Sequence, residues 1–273
     1  PVSRVAAAQS AAVPATPAAK EAPELDIKSP CCILMDYLTG EVLFEKNADE
    51  KRPPASLTKI MTLVLALEAV AEGRIKMDDQ VTASESACNI EGSQVWTEPG
   101  EIHTLGEWLL AVAVGSANDG SVVVAEYVAG SEPAFVAMMN KKAKELGMTG
   151  TEYRNSHGLD EEGHFTTCRD MAILGRYAER VPGLLDLTKI YRTTFRGGKF
   201  GLDNANKMLV YYDGCDGFKT AVISHVASQP EYTPPVIYSE TARSKLVYLV
   251  EAKPDATDAQ LRPGLPIEVE PLQ

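Results

Sequence analysis

Two short apolar runs open the readable part of the chain. Cys32-Ile-Leu-Met-Asp36 and Glu41-Val-Leu-Phe44 flank Leu38-Thr-Gly40, a pattern that predicts a β-hairpin with glycine in its turn. Asp49 to Pro54 is a polar loop. From about Ser56 to Glu72 the apolar residues fall on nearly every side, which predicts an interior helix closed by Gly73. Thr104-Leu-Gly-Glu107 has the form of a capping box and opens a helix that stops near Gly115. A second helix begins after Asp119 and ends at Gly130; a third is capped by Ser131 and runs to Leu146 before Gly147. The stretch 74–190 is therefore expected to be mostly helical. Tyr191 to Phe195, followed by Gly197-Gly198, marks a return to strands, and Met208 to Tyr212 reads as another strand. After Thr220 the texture changes: Pro230, Pro234 and Pro235 break the chain, Lys245 to Val250 is a strong strand and Ile267 to Val269 a weaker one. This order predicts an α+β domain, helices against an antiparallel sheet, followed by a partial β-rich module.

Composition narrows the class. With 273 residues and 45% hydrophobic residues the chain can bury one sizeable core and a smaller module. The formal net charge of -12 argues against a nucleic-acid partner, which needs a basic surface to neutralise phosphates. No apolar run is long enough to span a bilayer; Ile60 to Val70 is short and holds Thr62 and Glu68. Residues 1–22 read as a disordered leader rich in Ala and Pro, without the compact apolar stretch of an intact signal peptide. The five cysteines, Cys31, Cys32, Cys88, Cys168 and Cys215, are odd in number and read as buried free thiols.

Three polar constellations stand out. In Pro54-Ala-Ser-Leu-Thr-Lys59, Ser56 starts the buried helix and Lys59 follows three residues later, so one turn puts both on one face. A serine hydroxyl needs a base to become a nucleophile, and a lysine whose pKa is depressed by burial can be that base. Alone, the pair also fits a helix-capping serine beside a solvated lysine. Ser116-Ala-Asn118 lies in a helix break, where a hydroxyl and an amide could relay a proton and hold a substrate amide; a helix-joining loop explains it equally. Asp216-Gly-Phe-Lys-Thr220 could bind a carboxylate through Lys219 and Thr220, or be ordinary strand polarity. His157 and His164 have no metal-ligand motif around them and fit a polar loop near the cleft mouth, and no metal is expected. Trp96 and Tyr153 read as packing residues.

The order of the three constellations changes their weight. Ser-x-x-Lys, Ser-x-Asn and Lys-Thr-Gly, in that sequence, mark penicillin-binding proteins and class A β-lactamases. Gly92-Ser-Gln-Val-Trp96 with Glu98-Pro-Gly100, Ser116-Ala-Asn-Asp119, Asn155-Ser-His-Gly-Leu-Asp160 and Gly163-His164 extend the match. Over roughly residues 25–220 the chain resembles the low-molecular-weight penicillin-binding D-alanyl-D-alanine carboxypeptidases. The resemblance implies the β-lactamase/penicillin-binding-protein-like fold and a catalytic domain at 23–222. It implies that Ser56 attacks the bond between two D-alanines, with Lys59 as base, and that Ser116 protonates the leaving group. Asn118 would position substrate, Lys219 and Thr220 hold its carboxylate, and the N–H groups of Ser56 and Val222 form the oxyanion hole. The implied substrate is the peptidoglycan stem pentapeptide, with β-lactams as covalent inhibitors, no cofactor, and an extracytoplasmic place in the bacterial cell envelope, secreted or peripherally attached to the outer face of the cytoplasmic membrane.

The chain departs from the family pattern in two places. The third motif ends in Ala221, not glycine. The chain also passes quickly into the proline-rich segment, so the last catalytic strands and helix are expected to be missing, with 223–273 a partial β-rich module. Two rivals follow: a catalytically impaired binding or structural remnant of the same fold, and a class A β-lactamase, against which no deacylating glutamate motif is present.

Overall fold

The computed structural model describes residues 27–211 and 215–217. The first hairpin forms as expected. β1 (Cys32–Met35) pairs antiparallel with β2 (Val42–Lys46), with a register irregularity at Leu34/Met35. Its turn is built by Asp36, whose carboxylate accepts from the N–H and hydroxyl of Thr39 at 2.6 and 2.7 Å. Gly40 then takes a φ of +79°, open to glycine at little cost.

A short 3-10 turn, Ala55–Leu57, leads into α1 (Thr58–Ala71). Lys59 and Leu63 to Leu67 are among the residues of α1 that are buried. The helix is apolar all round because α3, α4, α5, α6 and α7 surround it. β3 (Gln80–Thr82) and α2 (Glu85–Cys88) precede β4 (Ile102–Thr104), which pairs antiparallel with β3. α3 (Leu105–Gly115) starts at the expected capping box: Glu107 N–H donates to Thr104 Oγ1 at 3.2 Å, and Thr104 N–H donates to Glu107 Oε2 at 3.0 Å. The helix buries Trp108, whose indole N–H donates to the Val81 carbonyl at 3.1 Å. α4 (Asn118–Ala129) and α5 (Glu132–Glu145) follow, separated by Gly130 and capped by Ser131. α6 (Cys168–Ala178), α7 (Leu184–Thr188), the hairpin β5 (Arg192–Phe195) and β6 (Phe200–Asp203), and the short α8 (Met208–Tyr211) complete the order.

Three expectations of secondary structure are corrected. Met208 to Tyr212 is not a strand: Met208 to Tyr211 coil into α8, started by Asn206, whose side-chain oxygen accepts from the Met208 N–H at 3.1 Å. Residues 74–190 are less helical than expected, because β3, β4 and a long irregular passage between α5 and α6 interrupt them. Among the described residues the strands form three separate two-stranded antiparallel sheets, not one. The five cysteines stand as free thiols, with Cys31, Cys32 and Cys168 buried. Among the described residues no single helix is long and apolar enough to cross a membrane.

The capping box fixes where α3 begins, and hence where its far end meets Ser116. Thr104→Ala removes one side of the reciprocal pair and is expected to cost about 1 kcal/mol, read as a lowered midpoint in urea unfolding with an unchanged slope.

Candidate active site

The exposed Ser56 sits in the 3-10 turn, and Lys59 in the first turn of α1 behind it. Lys59 is only 4% exposed. Its Nζ lies 3.2 Å from Ser56 Oγ and donates to the His157 carbonyl at 2.7 Å. Burial strips water from the amine and lowers its pKa to about 7; the negative charge of Asp119 opposes that shift without cancelling it. Near neutral pH a large fraction of Lys59 is therefore uncharged and holds a lone pair beside a hydroxyl. Ser116 ends α3 with a left-handed φ of +54°, which stops the helix at the cleft. Ser56, Lys59 and Ser116 line one cleft of about 170 Å³ with Asn204, Asn206 and Gly217, over an apolar floor that includes Ile60 and Val112. A larger depression, about 560 Å³, is lined by Glu45 and Asn47 to Glu50 and holds none of the motif residues.

Asn118 starts α4 behind this cleft. Its N–H donates to the Ser93 carbonyl and its side-chain NH₂ to the Glu91 carbonyl, both at 2.7 Å. The structure thus joins Ser56, Lys59 and Ser116, and places Asn118 where it also braces segment 91–97. Lys219, Thr220 and Val222 lie outside the described residues. Just before them, the Thr188 hydroxyl donates to the Asp216 carbonyl at 2.9 Å, and Gly217 has a φ of +88°.

His157 and His164 are not a polar loop at the cleft mouth. They are 5% and 4% exposed and support the start of α1 from behind. His164 Nδ1 accepts from the Arg154 N–H at 3.1 Å, so the other ring nitrogen carries the proton and donates to Thr58 Oγ1 at 2.9 Å. His157 Nδ1 accepts from the Leu159 N–H at 3.2 Å, leaving Nε2 3.7 Å from Glu132 Oε1. Burial holds both rings neutral: His157 is pushed down to about 3, helped by Lys59, and His164 to about 4. Glu132 also accepts from the Ser156 N–H and hydroxyl at 2.9 and 2.6 Å, and the Thr62 hydroxyl donates to the Ser156 carbonyl at 2.6 Å. The expectation for Trp96 is corrected too. Its φ is +57° and its ring is 53% exposed, because Arg196 holds the Val95 and Trp96 carbonyls and turns the residue outward. Tyr153, by contrast, is fully buried, as expected of a packing residue.

Sequence reasoning missed Asp119, Asn204 and Asn206. The first stands directly after the Ser-x-Asn motif and the other two frame Ala205 in a short polar run, the available signals.

Comparison with known proteins gives the fold and the family. Solved penicillin-binding proteins share the fold. Penicillin binding protein 5 from Haemophilus influenzae superimposes with a TM-score of 0.65 at 33% identity, over 68% of this chain and 54% of that one. Penicillin-Binding Protein D2 from Listeria monocytogenes, solved in an ampicillin-bound form, gives 0.64 at 27% identity, over 74% and 83%. The α+β, penicillin-binding-protein-like fold expected from the sequence therefore holds. The family model for D-alanyl-D-alanine carboxypeptidase matches residues 16–227, and the chain belongs to that family. The carboxypeptidase DacF of Bacillus subtilis is 44% identical over 204 residues, 74% of this chain and 52% of the relative. The carboxypeptidase DacC of Escherichia coli is 40% identical over 208 residues, 73% and 51%. The chain spans about half the length of these curated relatives.

Two outcomes follow from the support behind α1. A Cβ on Gly158 would stand 1.9 Å from the Ala55 carbonyl oxygen, and Gly158 has a φ of +93°. Gly158→Ala must push Ala55, itself at a φ of +48°, and Ser56 with it. We expect a stability loss of about 2 kcal/mol or more in urea unfolding. The second outcome concerns pH. The unfolded histidines take up protons near 6.5, whereas His164 and His157 stay neutral in the fold down to about 4 and 3. Stability should therefore fall as pH drops below 6.5, by on the order of 1 kcal/mol per pH unit for each ring. Replacing His164 by Gln should flatten that slope in thermal melts taken between pH 7 and 4.5.

Proposed function

We propose that this chain is a serine-type D-Ala-D-Ala carboxypeptidase that removes the terminal D-alanine of peptidoglycan stem peptides. One observation carries the reading: a buried, largely neutral Lys59 amine 3.2 Å from the exposed hydroxyl of Ser56, in the same cleft as Ser116. The reaction runs in two halves. Ser56 Oγ attacks the carbonyl of the penultimate D-alanine while Lys59 takes its proton. The oxyanion forms against the Ser56 N–H in the 3-10 turn that leads into α1, with Val222 N–H as the second donor, where the helix dipole favours negative charge. Ser116 passes a proton to the leaving amine, the C–N bond breaks and D-alanine departs. Water then attacks the acyl-Ser56 ester, giving the shortened peptide and restoring the serine. Overall, one water is consumed per bond cleaved.

Lys219 and Thr220 hold the substrate's terminal carboxylate in this reading, and Asn118 positions its backbone. A β-lactam enters by the same attack, its strained amide taking the place of the D-Ala-D-Ala bond. The catalytic unit is assigned to residues 23–222. Its substrate places it on the outer face of the cytoplasmic membrane in the bacterial envelope. Family membership, the shared fold and the ampicillin-bound form of the Listeria protein support this reading.

Incubation with benzylpenicillin should add one penicilloyl mass to the wild-type protein and none to Ser56→Ala, and the wild type should release D-alanine from a peptide ending in D-Ala-D-Ala. The acylation rate should rise with pH through about 7 as Lys59 loses its proton. Folded wild-type protein that neither takes the adduct nor releases D-alanine would overturn the proposal.

A further inference from the structure

Ser156 is fully buried, and side chains from two helices satisfy its polar groups. Glu132, in the first turn of α5, accepts at Oε1 from the Ser156 N–H at 2.9 Å and from its hydroxyl at 2.6 Å. Thr62, on α1, donates to the Ser156 carbonyl at 2.6 Å. The next carbonyl along the chain, that of His157, accepts from Lys59 Nζ at 2.7 Å. Lys59 and Thr62 stand three residues apart on one face of α1, so the helix grips two successive carbonyls of one loop. Glu132 holds the same loop from the opposite side, at the one residue between Asn155 and His157. The carboxylate sits where a helix dipole favours negative charge, and its side chain is 22% exposed, so part of its hydration survives.

The place of the His157 carbonyl matters because a lysine amine rides on a long, flexible stem. Lys59 Nζ meets that carbonyl on one side and Ser56 Oγ, at 3.2 Å, on the other. A base must lie within hydrogen-bond reach of the proton it takes, so whatever fixes the carbonyl fixes the base. We propose that Glu132 is a positioning residue for the reaction: acting through Ser156, it fixes the His157 carbonyl that holds the Lys59 amine against Ser56. Each link is a direct contact or a peptide bond. The His157 ring is not the route. Its Nδ1 accepts from the Leu159 N–H, and its Nε2 lies 3.7 Å from Glu132 Oε1, beyond hydrogen-bond range. Without Glu132, the buried N–H and hydroxyl of Ser156 lose their acceptor. The loop must then shift to find another, taking the His157 carbonyl with it and freeing Lys59 to leave Ser56.

The inference rests on the reading of Ser56 and Lys59 given above, and the test separates the two. Benzylpenicillin acylation is followed against concentration, which resolves noncovalent binding from the acylation step. Wild-type protein that takes no adduct overturns the functional reading, and this inference with it. If wild type is acylated, Glu132→Ala should slow the acylation step about tenfold or more and leave noncovalent binding unchanged, because the base is displaced and the cleft is not. Glu132→Gln keeps an oxygen that accepts both Ser156 bonds and should stay within about threefold of wild type. Folded Glu132→Ala that acylates at the wild-type rate, or that loses only noncovalent binding, would overturn the proposal. So would Glu132→Gln as slow as Glu132→Ala, since the acceptor would then not be what matters. Should Glu132→Ala not fold, Ser156→Ala carries the test. It removes the hydroxyl bond but keeps the N–H bond, and should slow the acylation step about threefold at unchanged binding. A wild-type acylation step in folded Ser156→Ala would overturn the link from Glu132 to the base.

Discussion

A lysine amine held out of water against a serine hydroxyl is the constraint around which this structure is arranged. An ammonium group loses several kcal/mol of hydration on burial unless it is paired or gives up its proton. Lys59 is almost wholly enclosed, and its titration is pushed down into the physiological range. That condition requires α1 to be central: only a helix with neighbours on every side can bury a side chain in its first turn and still leave Ser56, three residues earlier, at the surface. The apolar character of α1 thus acts on Lys59 directly, by excluding water from its amine.

The direct hydrogen-bond partners of Lys59 are uncharged. The amine donates to a backbone carbonyl, not to a carboxylate. The two histidines behind it are held neutral by burial; both ring nitrogens of His164 are hydrogen-bonded, and His157 Nδ1 accepts from the Leu159 N–H. Gly158 brings their loop into backbone contact with Ala55, and Ala55 takes up a positive φ immediately before Ser56.

Much of this was legible in the chain. The first hairpin declared itself by its glycine turn, α1 by apolar residues on all faces, and α3 by the Thr104–Glu107 pair. The motif order then placed Ser56, Lys59 and Ser116 together. What escaped reading shares a physical cause, namely side-chain hydrogen bonding, local or tertiary, that outweighs residue propensity. Met208-Leu-Val-Tyr211 has strand-like residues, yet a single Asn206 cap turns it into a helix. Trp96 would ordinarily be buried, yet Arg196 grips its backbone and leaves the ring outside. His157 and His164 look like loop polarity until their partners, distant in sequence, are known.

The account stands or falls on the state of one amine. Selective labelling of lysine with 13C at Cε, assigned by comparison with Lys59→Arg, allows the Lys59 titration to be followed by NMR in the free protein. A midpoint at about 7, well below that of the exposed lysines, is the result expected from the burial seen here. A midpoint above 10 would mean that Lys59 stays charged at neutral pH, and that Ser56 has no base beside it.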